Sequence, residues 1–336
     1  MLTRFLAVKV KAFYLFGMKP VICNYYVTYR CNARCGFCSI WQEPEASMNP
    51  ESSPGVICRN LGDVKLLGVK VVDFTGGEPL LYESLPGVLA YARTIGLRTT
   101  VTTNGIRYIE RASEISGLVD ILQFSLNGAD RPTHDRTAGV PSFDRVMESI
   151  EVARKLGERP SLIHTVTNEN LGNVPGVIAL ARSMNVLLFL NPCFSYFGNT
   201  GLSRESAQEL LCMNTGRGII MDRGFLNFLI DGGNRSSSPQ CLAVSSTIVI
   251  SPDDKLLLPC YHQKIKALPI NGRLIALRNS RAVREVKQRE GRYPFCEGCV
   301  INCYIRASLF RRFSRYFLPT MVSAAKYLYY HYRMKR

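Results

Sequence analysis

Three cysteines stand in a Cys-x3-Cys-x2-Cys pattern directly after the first predicted strand, at Cys31, Cys35 and Cys38. Three thiolates can hold an iron–sulfur cubane and leave one of its irons without a protein ligand. That open iron would accept a small chelating molecule. A zinc site is the alternative, although structural zinc usually takes four ligands in paired Cys-x2-Cys units. The spacing therefore indicates a [4Fe–4S] site with one free coordination position.

Glycines and polar side chains close three successive predicted strands, in the segments 76–79, 102–105 and 125–128. The glycines let the backbone approach a ligand closely, and Glu78 can accept hydrogen bonds from an ammonium group. Each segment alone also fits an ordinary turn. Because all three stand at strand ends, we favour a shared site for a nucleoside with a charged tail.

Short runs rich in Val, Ile, Leu, Phe and Thr alternate with amphipathic stretches through the first two thirds of the chain. The predicted strands cover 21–29, 71–75, 99–103, 121–126, 161–167 and 186–190, and predicted helices cover 85–95, 143–156 and 174–184. Val146, Ile150 and Ala153 fall on one face of such a helix. Alternating strands and helices predict an α/β fold with a parallel sheet. Six units predict a partial (β/α)6 barrel of the TIM type, whose chemistry lies at the carboxyl ends of the strands.

The pattern changes after about residue 195. Residues 198–240 are rich in Gly, Ser and Asn and predict a loop, whereas 247–250 and 255–258 flank a Ser-Pro-Asp-Asp turn and predict a β-hairpin. We therefore divide the chain into four parts. These are a basic amphipathic segment (1–19), a barrel (20–195), a small Cys-rich domain (196–305) and a basic aromatic tail (306–336).

The formal net charge of +16 is concentrated at the two ends of the chain. Residues 1–19 and 306–336 together carry twelve basic residues and no acid. A nucleic-acid surface would also load the body of the protein with positive charge, so RNA is the weakest partner considered. Neither a signal peptide nor a spanning helix is predicted. Together with twelve cysteines in tight groups, this indicates a cytoplasmic protein with reduced thiols.

The motifs together resemble the signature of radical S-adenosylmethionine (SAM) enzymes. The segment 31–38 matches the cysteine motif, including the aromatic Phe37 before the last cysteine. Segment 76–79 resembles the motif that contacts the methionine end of SAM, and 125–128 resembles the ribose-contact segment. Residues 134–136 and 142–146 resemble the stretch that follows. The resemblance covers about residues 20–195.

This resemblance implies a [4Fe–4S] cluster that cleaves SAM reductively to methionine and a 5′-deoxyadenosyl radical. It also implies a low-potential electron donor such as ferredoxin or flavodoxin. The residues that it assigns to SAM are Phe37, Gly76, Gly77, Glu78, Pro79, Thr103, Asn104, Ser125 and Asn127. It assigns no residue that acts on the substrate. Relatives with an auxiliary cluster have an Arg-Gly pair where this chain has Ala138-Gly139, so no contact from that Arg is expected.

A second group of cysteines resembles the auxiliary-cluster appendage called SPASM or twitch. Its members are Cys241, Cys260, Cys296, Cys299 and Cys303. Five cysteines are too few for two clusters, so we expect one auxiliary [4Fe–4S] cluster with four ligands, and Cys299 is the first candidate to be left out. A structural zinc knuckle is the alternative. His262 is expected to lie outside the ligand set. The other cysteines are expected to be small apolar packing residues: Cys23, Cys58, Cys193 and Cys212.

The tail places apolar residues at helical spacing. They are Leu309, Phe313 and Phe317 before Pro319, and Val322, Ala325 and Tyr329 after it. Arginines and aromatics without acids are typical of an interfacial helix on an anionic membrane. Segment 1–19 could act in the same way. The alternative is that both ends cap the open barrel and bury their aromatics in its core.

Three functions follow as hypotheses. The first is an oxidoreductase that acts on a lipophilic small molecule, peripheral at the membrane. Oxidation of a methyl group on a bacteriochlorophyll-type tetrapyrrole and modification of an isoprenoid lipid are examples. The second is peptide maturation, because many relatives with auxiliary clusters modify peptides. The third is a non-enzymatic iron–sulfur protein, which the intact 76–79 motif disfavours.

Overall fold

The computed structural model describes residues 19–43, 48, 50–196 and 199–333, with side chains up to His331. Apart from Lys19, the predicted amphipathic segment 1–19 lies outside the described residues. Most of the tail lies inside them.

A single ten-stranded sheet runs through the described part of the chain. Its strands are β1 (Ile22–Thr28), β2 (Val71–Gly76), β3 (Arg98–Thr103), β4 (Ile121–Ser125), β5 (Ser161–Val166), β6 (Leu187–Pro192), β7 (Ile219–Met221), β8 (Thr247–Ile250), β9 (Lys255–Leu258) and β10 (Lys266–Pro269). The strands lie in the order β10-β9-β8-β1-β2-β3-β4-β5-β6-β7. The run from β8 to β7 is parallel throughout, which confirms the prediction of an α/β fold with a partial barrel.

Helices follow the strands and cover one face of the sheet. They are α1 (Pro54–Leu66), α2 (Leu85–Thr94), α3 (Tyr108–Ile115), α4 (Arg131–Ala138), α5 (Phe143–Lys155), α6 (Val174–Ser183), α7 (Arg204–Cys212), α8 (Arg223–Ile230), α9 (Ala243–Ser246), α10 (Leu274–Arg278), α11 (Arg281–Gln288), α12 (Asn302–Leu309) and α13 (Phe317–Arg333). Val146, Ile150 and Ala153 of α5 are fully buried, as their spacing predicts.

The two faces of the parallel strands differ in character. The residues of β4 and β5 that point toward the helices are at most 3% exposed: Leu122, Phe124, Leu162 and His164. Residues of the opposite parity, such as Gln123, Ile163 and Thr165, keep accessible surface on the inner face of the barrel. Side chains alternate along a strand, so one face forms the core and the other lines a lumen. This lumen ends at the carboxyl edge of the sheet, where the segments 76–79, 102–105 and 125–128 stand.

The segment predicted as a loop, 198–240, contains regular structure in its described part, and that prediction is wrong. It forms α7, β7 and α8. Ser203 caps α7 by accepting a hydrogen bond from the Ser206 amide, and Asp222 caps α8 in the same way from Phe225. These elements are short, so capping residues and a buried face decide them more than their composition does.

The hairpin predicted at 247–250 and 255–258 is present as β8 and β9. It is joined to the barrel sheet, because β8 pairs in parallel with β1 along Ile22–Tyr25. The division of the chain at residues 195 and 305 stays a prediction. Strand β1 nevertheless pairs with β2 of the barrel on one side and with β8 of the cysteine-rich segment on the other.

The tail both packs on the body and exposes an apolar face. Ser308 and Leu309 are fully buried at the end of α12, whereas Phe313 is 60% exposed in the turn that follows. Leu309, Phe313 and Phe317 therefore do not share one helix face, because the helix ends at Leu309. The next helix, α13, packs on α8, where Thr320 donates a hydrogen bond to Asp222 Oδ1 at 3.1 Å.

Candidate functional site

A cavity of about 200 Å³ lies at the carboxyl ends of β2 to β5 and the loop after β1. Most of the residues expected to hold the cluster and SAM line it: Cys31, Cys35, Phe37, Cys38, Gly76, Gly77, Glu78, Asn104, Ser125 and Asn127. The structure therefore brings four separate sequence motifs to one place. Parallel strands meet at this edge, which is why residues far apart in the chain converge here.

Gly76 and Gly77 allow the segment 76–79 to pack closely against the backbone that leads into the cysteine loop. The Gly77 amide donates to Thr28 O at 2.9 Å, and the Glu78 amide donates to Arg30 O at 2.8 Å. Gly76 has φ of +136°, and a Cβ there would lie 1.9 Å from Thr28 O. A Cβ at Gly77 would lie 2.1 Å from Arg30 O. Glycine is thus required at both positions by backbone packing, which fixes the distance between the two motifs.

The cysteine loop is held by its own side chains. Arg34 Nη1 donates to Cys31 O at 2.7 Å, and its guanidinium lies 4.9 Å from the ring centroid of Trp41. Trp41 Nε1 in turn donates to Cys38 O at 2.8 Å. These contacts connect the first and last cysteine of the motif through one cation–π pair.

The segment Ala138-Gly139 braces the same loop from the other side. The Arg34 amide donates to Ala138 O at 2.9 Å. Gly139 ends α4 in the left-handed conformation, and a Cβ there would lie 2.3 Å from Arg34 O. Because the glycine allows this approach, the segment supports the loop by backbone contact where relatives have an Arg before it.

The three cysteines suit a metal cluster rather than free nucleophiles. Burial raises the pKa of Cys31 to about 11 and that of Cys35 to about 12, and it also raises the pKa of Cys38. Neutral thiols are poor nucleophiles, and they deprotonate when they bind iron. Three half-buried thiols around one cavity supply the donor set of a cubane with an open iron.

Glu78 is 1% exposed, and the protein uses most of its acceptor capacity. Its Oε1 accepts from Leu80 N at 3.1 Å and Thr103 Oγ1 at 2.8 Å, and its Oε2 accepts from Asn104 N at 2.8 Å. A carboxylate has about four acceptor sites, so one remains for a ligand. Burial raises the pKa of Glu78 to about 7, even though these three bonds lower it.

Two of the residues expected to contact SAM do not line the cavity. Thr103 is 1% exposed and donates to Glu78, and Pro79 is buried at the start of a single 3₁₀ turn. Three threonines that were not assigned to SAM from the sequence line the cavity instead: Thr75, Thr102 and Thr165. Strand parity was the signal that could have found Thr102, because neighbouring residues of a strand point to opposite faces.

His134 and Ser142 also line the cavity and were not assigned. His134 Nδ1 accepts from the Asn127 amide at 3.1 Å, and its Nε2 lies 3.1 Å from Ser142 Oγ. Burial lowers the pKa of His134 to about 4, so the ring is neutral with its proton on Nε2. The ring thereby fixes the backbone of the predicted ribose-contact segment.

A second cavity is lined by four cysteines of the C-terminal group: Cys241, Cys260, Cys296 and Cys299. The rest of its wall is mainly apolar and includes Ala243, Phe295, Ile301 and Ile305. Among the described residues, no three His, Cys, Asp or Glu side chains group tightly enough to hold a single metal ion.

Cys303 does not line this cavity, whereas Cys299 does. Cys303 stands in the first turn of α12 and is exposed. The cysteine that the structure leaves apart is therefore Cys303 rather than Cys299. The ligand set with four cysteines remains a proposal.

Aromatic rings fill the space between the two cysteine sites. Tyr26 of β1 stacks on Tyr261 at 4.4 Å between ring centroids, and Tyr196 lies 6.1 Å from Tyr261. Tyr261 follows Cys260 directly in the chain, and its ring lies 5.8 Å from the ring of Tyr29, which stands two residues before Cys31. His262 is enclosed by the rings of Phe194, Tyr196, Tyr261 and Tyr304. Burial lowers the pKa of His262 to about 3, and it does not line the four-cysteine cavity.

Residues 25–181 match the model of the family described as the radical SAM superfamily. They include every residue that lines the first cavity, among them Cys31, Cys35 and Cys38. Residues 25–181 are a radical SAM domain. This domain lies in a mixed α/β fold with a partial barrel.

Curated relatives share the barrel portion with this radical SAM protein. A "Probable GTP 3',8-cyclase" of Sulfolobus acidocaldarius is 29% identical over 187 residues, 54% of this chain and 57% of that protein. A "Fe-coproporphyrin III synthase" of Methanosarcina barkeri is 27% identical over 206 residues, 59% of this chain and 49% of that protein. The matched region thus spans about half of the length of these relatives.

Solved structures share the fold over more of the chain. SuiB of Streptococcus suis, bound to S-adenosylmethionine, covers 89% of this radical SAM chain with a TM-score of 0.67 at 15% identity, and the match covers 76% of SuiB. The structure of anSMEcpe with bound AdoMet matches 94% of this chain, and the match covers 98% of the anSMEcpe chain. Its TM-score is 0.61 at 15% identity. At this identity the likeness describes the fold.

Proposed function

We propose that this radical SAM enzyme is an oxidoreductase that abstracts hydrogen from a lipophilic, membrane-associated small molecule. A bacteriochlorophyll-type tetrapyrrole with a methyl group to oxidise, or an isoprenoid lipid, is the kind of substrate we have in mind. The observation that carries the proposal is the outward apolar face of α13. The cavity at Cys31, Cys35 and Cys38 provides the place for the chemistry.

The residues of the first cavity divide the work of binding. Cys31, Cys35 and Cys38 would hold the [4Fe–4S] cluster, and the remaining acceptor site of Glu78 would receive the amino group of SAM. The Asn127 segment, oriented by His134, would contact the ribose. When bound, the cluster and SAM supply reductive cleavage to a 5′-deoxyadenosyl radical, which takes a hydrogen atom from the substrate.

The four cysteines of the second cavity would hold an auxiliary [4Fe–4S] cluster, with an electron donor such as ferredoxin or flavodoxin as the outside partner. An auxiliary cluster supplies a place to receive an electron, which oxidation of a substrate radical requires. The apolar wall around Phe295, Ile301 and Ile305 would keep water away from it.

The face of α13 that points away from the protein is apolar over three turns. Its exposed residues recur at helical spacing: Leu318, Met321, Val322, Ala325, Leu328 and Tyr329. We call them the outer stripe. The opposite face carries Thr320 and Ser323, which are buried against α8. A helix on a water-exposed surface normally has the reverse arrangement.

The charges around the outer stripe favour an anionic bilayer as its partner. Residues 306–336 contain eight basic residues and no acid. Arg306 and Arg315 pair with Asp222 and Asp231 of the body, so the tail is partly neutralised from within. An anionic surface contributes about 1 kcal/mol for each further Lys or Arg close to it. No described helix is long and apolar enough to cross a bilayer, so the expected mode is adsorption.

Two relatives point to a tetrapyrrole in particular. The proteins of Methanosarcina barkeri named "Fe-coproporphyrin III synthase" and "AdoMet-dependent heme synthase" are both 27% identical to this chain over 206 and 176 residues. Their names concern tetrapyrrole rings, which are flat and largely apolar. The relatives named GTP 3',8-cyclase concern a polar nucleotide, so the outer stripe decides our preference.

The proposal is tested by vesicle sedimentation with the anaerobically reconstituted full chain. The protein should bind vesicles that contain anionic lipid and leave them at high salt. Leu318→Asp combined with Val322→Asp should weaken this binding at least tenfold, because burying each side chain is worth roughly 1.5–3 kcal/mol. Leu66→Asp is the matched control, since Leu66 of α1 is 72% exposed on another surface.

Equal binding by the double variant and the wild type would contradict membrane docking. A double variant that changes only from dimer to monomer would also contradict membrane docking. It would assign the outer stripe to self-association.

Turnover distinguishes the substrate classes. Formation of 5′-deoxyadenosine should rise on addition of a bacteriochlorophyllide-type tetrapyrrole or an isoprenoid lipid. Stimulation by short peptides alone would favour the alternative of peptide maturation. That alternative is motivated by the fold, since one structure of the similar protein SuiB is bound to a precursor peptide.

A further inference from the structure

The barrel has another cavity at the opposite, amino end of its strands. It has a volume of about 190 Å³ and is lined by residues at the beginnings of three strands, Ile121, Ser161 and Leu187. Tyr327 and His331 of α13 also line it. We call it the lower cavity, and the cavity at Cys31, Cys35 and Cys38 the upper cavity.

The two cavities lie on the same face of the sheet. Strand β4 contributes Ile121 to the lower cavity and Ser125 to the upper one, and β5 contributes Ser161 and Thr165. In each strand the two residues are four positions apart, so they share the inner face. At about 3.3 Å for each residue, roughly 13 Å of strand separates the cavities.

Residues on this face between the two cavities keep part of their surface accessible. The intervening residues of the same parity are Gln123, Ile163 and Phe189, and all three are only partly buried. The ring of Phe189 lies 5.3 Å from the ring of Tyr327, so α13 contacts the lumen wall directly. The inner face therefore connects the helix at the lower end with the site of chemistry at the upper end.

The lower cavity combines an apolar wall with a charged rim. Ile121, Pro160, Val186 and Leu187 form the wall, and Arg154, Glu158, Arg159 and His331 stand around the opening. Glu158 is already engaged, since its Oε1 accepts from the Gly117 amide at 2.6 Å. Arg154 is engaged as well, because it pairs with Glu151 and donates to Met184 O. Arg159 is exposed at the rim and can attract an anionic group. This lining suits an amphiphile with an apolar body and a carboxylate or phosphate.

The position of α13 connects this cavity to the outer stripe. Tyr327 and His331 lie on the side of the helix opposite to that stripe, across a diameter of about 10 Å. A helix whose apolar face enters the bilayer by about 5–10 Å therefore places its other side at the level of the lipid headgroups. The opening of the lower cavity would then meet the interface where an amphiphile exposes its charged group.

We propose that the lower cavity is the port through which an anionic amphiphile enters the barrel and reaches the upper cavity along the inner face. This port rests on the proposed function, because it takes the substrate to be lipophilic. It is also independent of vesicle docking, since a port can bind an amphiphile from solution.

The test uses dansyl-undecanoate, a fluorescent fatty acid, and anaerobically reconstituted protein. Wild type should bind the probe with enhanced dansyl fluorescence. Ile163→Trp, which narrows the lumen between the cavities, should weaken binding at least tenfold and stop substrate-dependent turnover while SAM cleavage without substrate persists. Leu156→Trp should behave as wild type, because Leu156 is 42% exposed at the end of α5.

Arg159→Glu gives a second test at an exposed position that leaves the core untouched. It should weaken binding of dansyl-undecanoate several-fold and leave binding of its uncharged methyl ester unchanged. If Ile163→Trp and Arg159→Glu both bind the fatty acid like wild type, the port is wrong even when vesicles are bound. If wild type does not bind vesicles but both variants bind dansyl-undecanoate more weakly than wild type, the port is supported and membrane docking is contradicted.

Discussion

The two cysteine-lined cavities have walls that are opposite in kind. The upper cavity surrounds three cysteines with Glu78, Asn104, Ser125 and other polar groups. The second cavity, which we call the auxiliary cavity, surrounds four cysteines with mainly apolar side chains and no charged group. The first wall suits a polar molecule bound to an open iron, and the second suits a closed cluster that exchanges only electrons.

This contrast supports the proposal of two similar clusters with different purposes. The upper cysteines stand on a loop that faces three strand ends, so their cavity is built from backbone turns and polar side chains. The auxiliary cysteines are spread over a hairpin and two turns that bury apolar residues.

The largest effect is expected from removing the upper cysteines. The triple variant Cys31→Ala, Cys35→Ala, Cys38→Ala should lose SAM cleavage, because no other group of thiols can present an open iron to SAM. Release of 5′-deoxyadenosine after dithionite reduction measures this. Cys58→Ala with Cys212→Ala is the control and should cleave SAM normally, since neither cysteine lines either cavity.

The next effect concerns the auxiliary ligands. Reconstituted wild type should carry about eight irons for each chain, as two four-iron clusters. Cys299→Ala should lower this to about four, whereas Cys303→Ala should leave it near eight, because only Cys299 lines the auxiliary cavity. Loss of iron in Cys303→Ala with retention in Cys299→Ala would reverse the assignment, and zinc in the purified wild type would favour a knuckle.

A smaller effect is expected from pH. Glu78 accepts from SAM only when ionised, and burial raises its pKa to about 7. SAM affinity should therefore rise with pH, on the order of tenfold between pH 6 and 8, as a group with this pKa goes from about one-tenth to nine-tenths ionised. Isothermal titration of the reconstituted, oxidised protein, which does not cleave SAM, measures it.

Glu78→Gln removes the titrating group, so it should bind SAM about tenfold more weakly at pH 8 and show little pH dependence. Iron content and melting temperature of this variant serve as the control for folding. A wild-type affinity that is constant from pH 6 to 8 would exclude Glu78 from the SAM site.

The sequence predicted the barrel well because its signal is repeated. Each of the six predicted strands is present, and the helices at 85–95, 143–156 and 174–184 end within one or two residues of those expected. Motif residues such as Gly76, Gly77 and Asn104 could be placed at a strand end without knowledge of the partner strands. Parallel strands bring their ends together whatever the detailed packing.

Other features depend on contacts that no local pattern contains. The pairing of β8 with β1 joins residues more than two hundred positions apart. Thr103 matched a motif, but its side chain turns to Glu78 while Thr102 faces the cavity. The spacing of Val322, Ala325 and Tyr329 predicted a shared face, yet only the packing of Thr320 and Ser323 on α8 reveals that this face points outward.

Electron paramagnetic resonance of the reduced protein, with and without SAM, tests most directly the claim that one cluster site is open and the other closed. Wild type should show two [4Fe–4S] signals, of which SAM changes one. The triple Cys31, Cys35, Cys38 variant should keep one signal that does not respond to SAM. A remaining signal that shifts on SAM addition, or a triple variant with no cluster signal at all, would contradict this account.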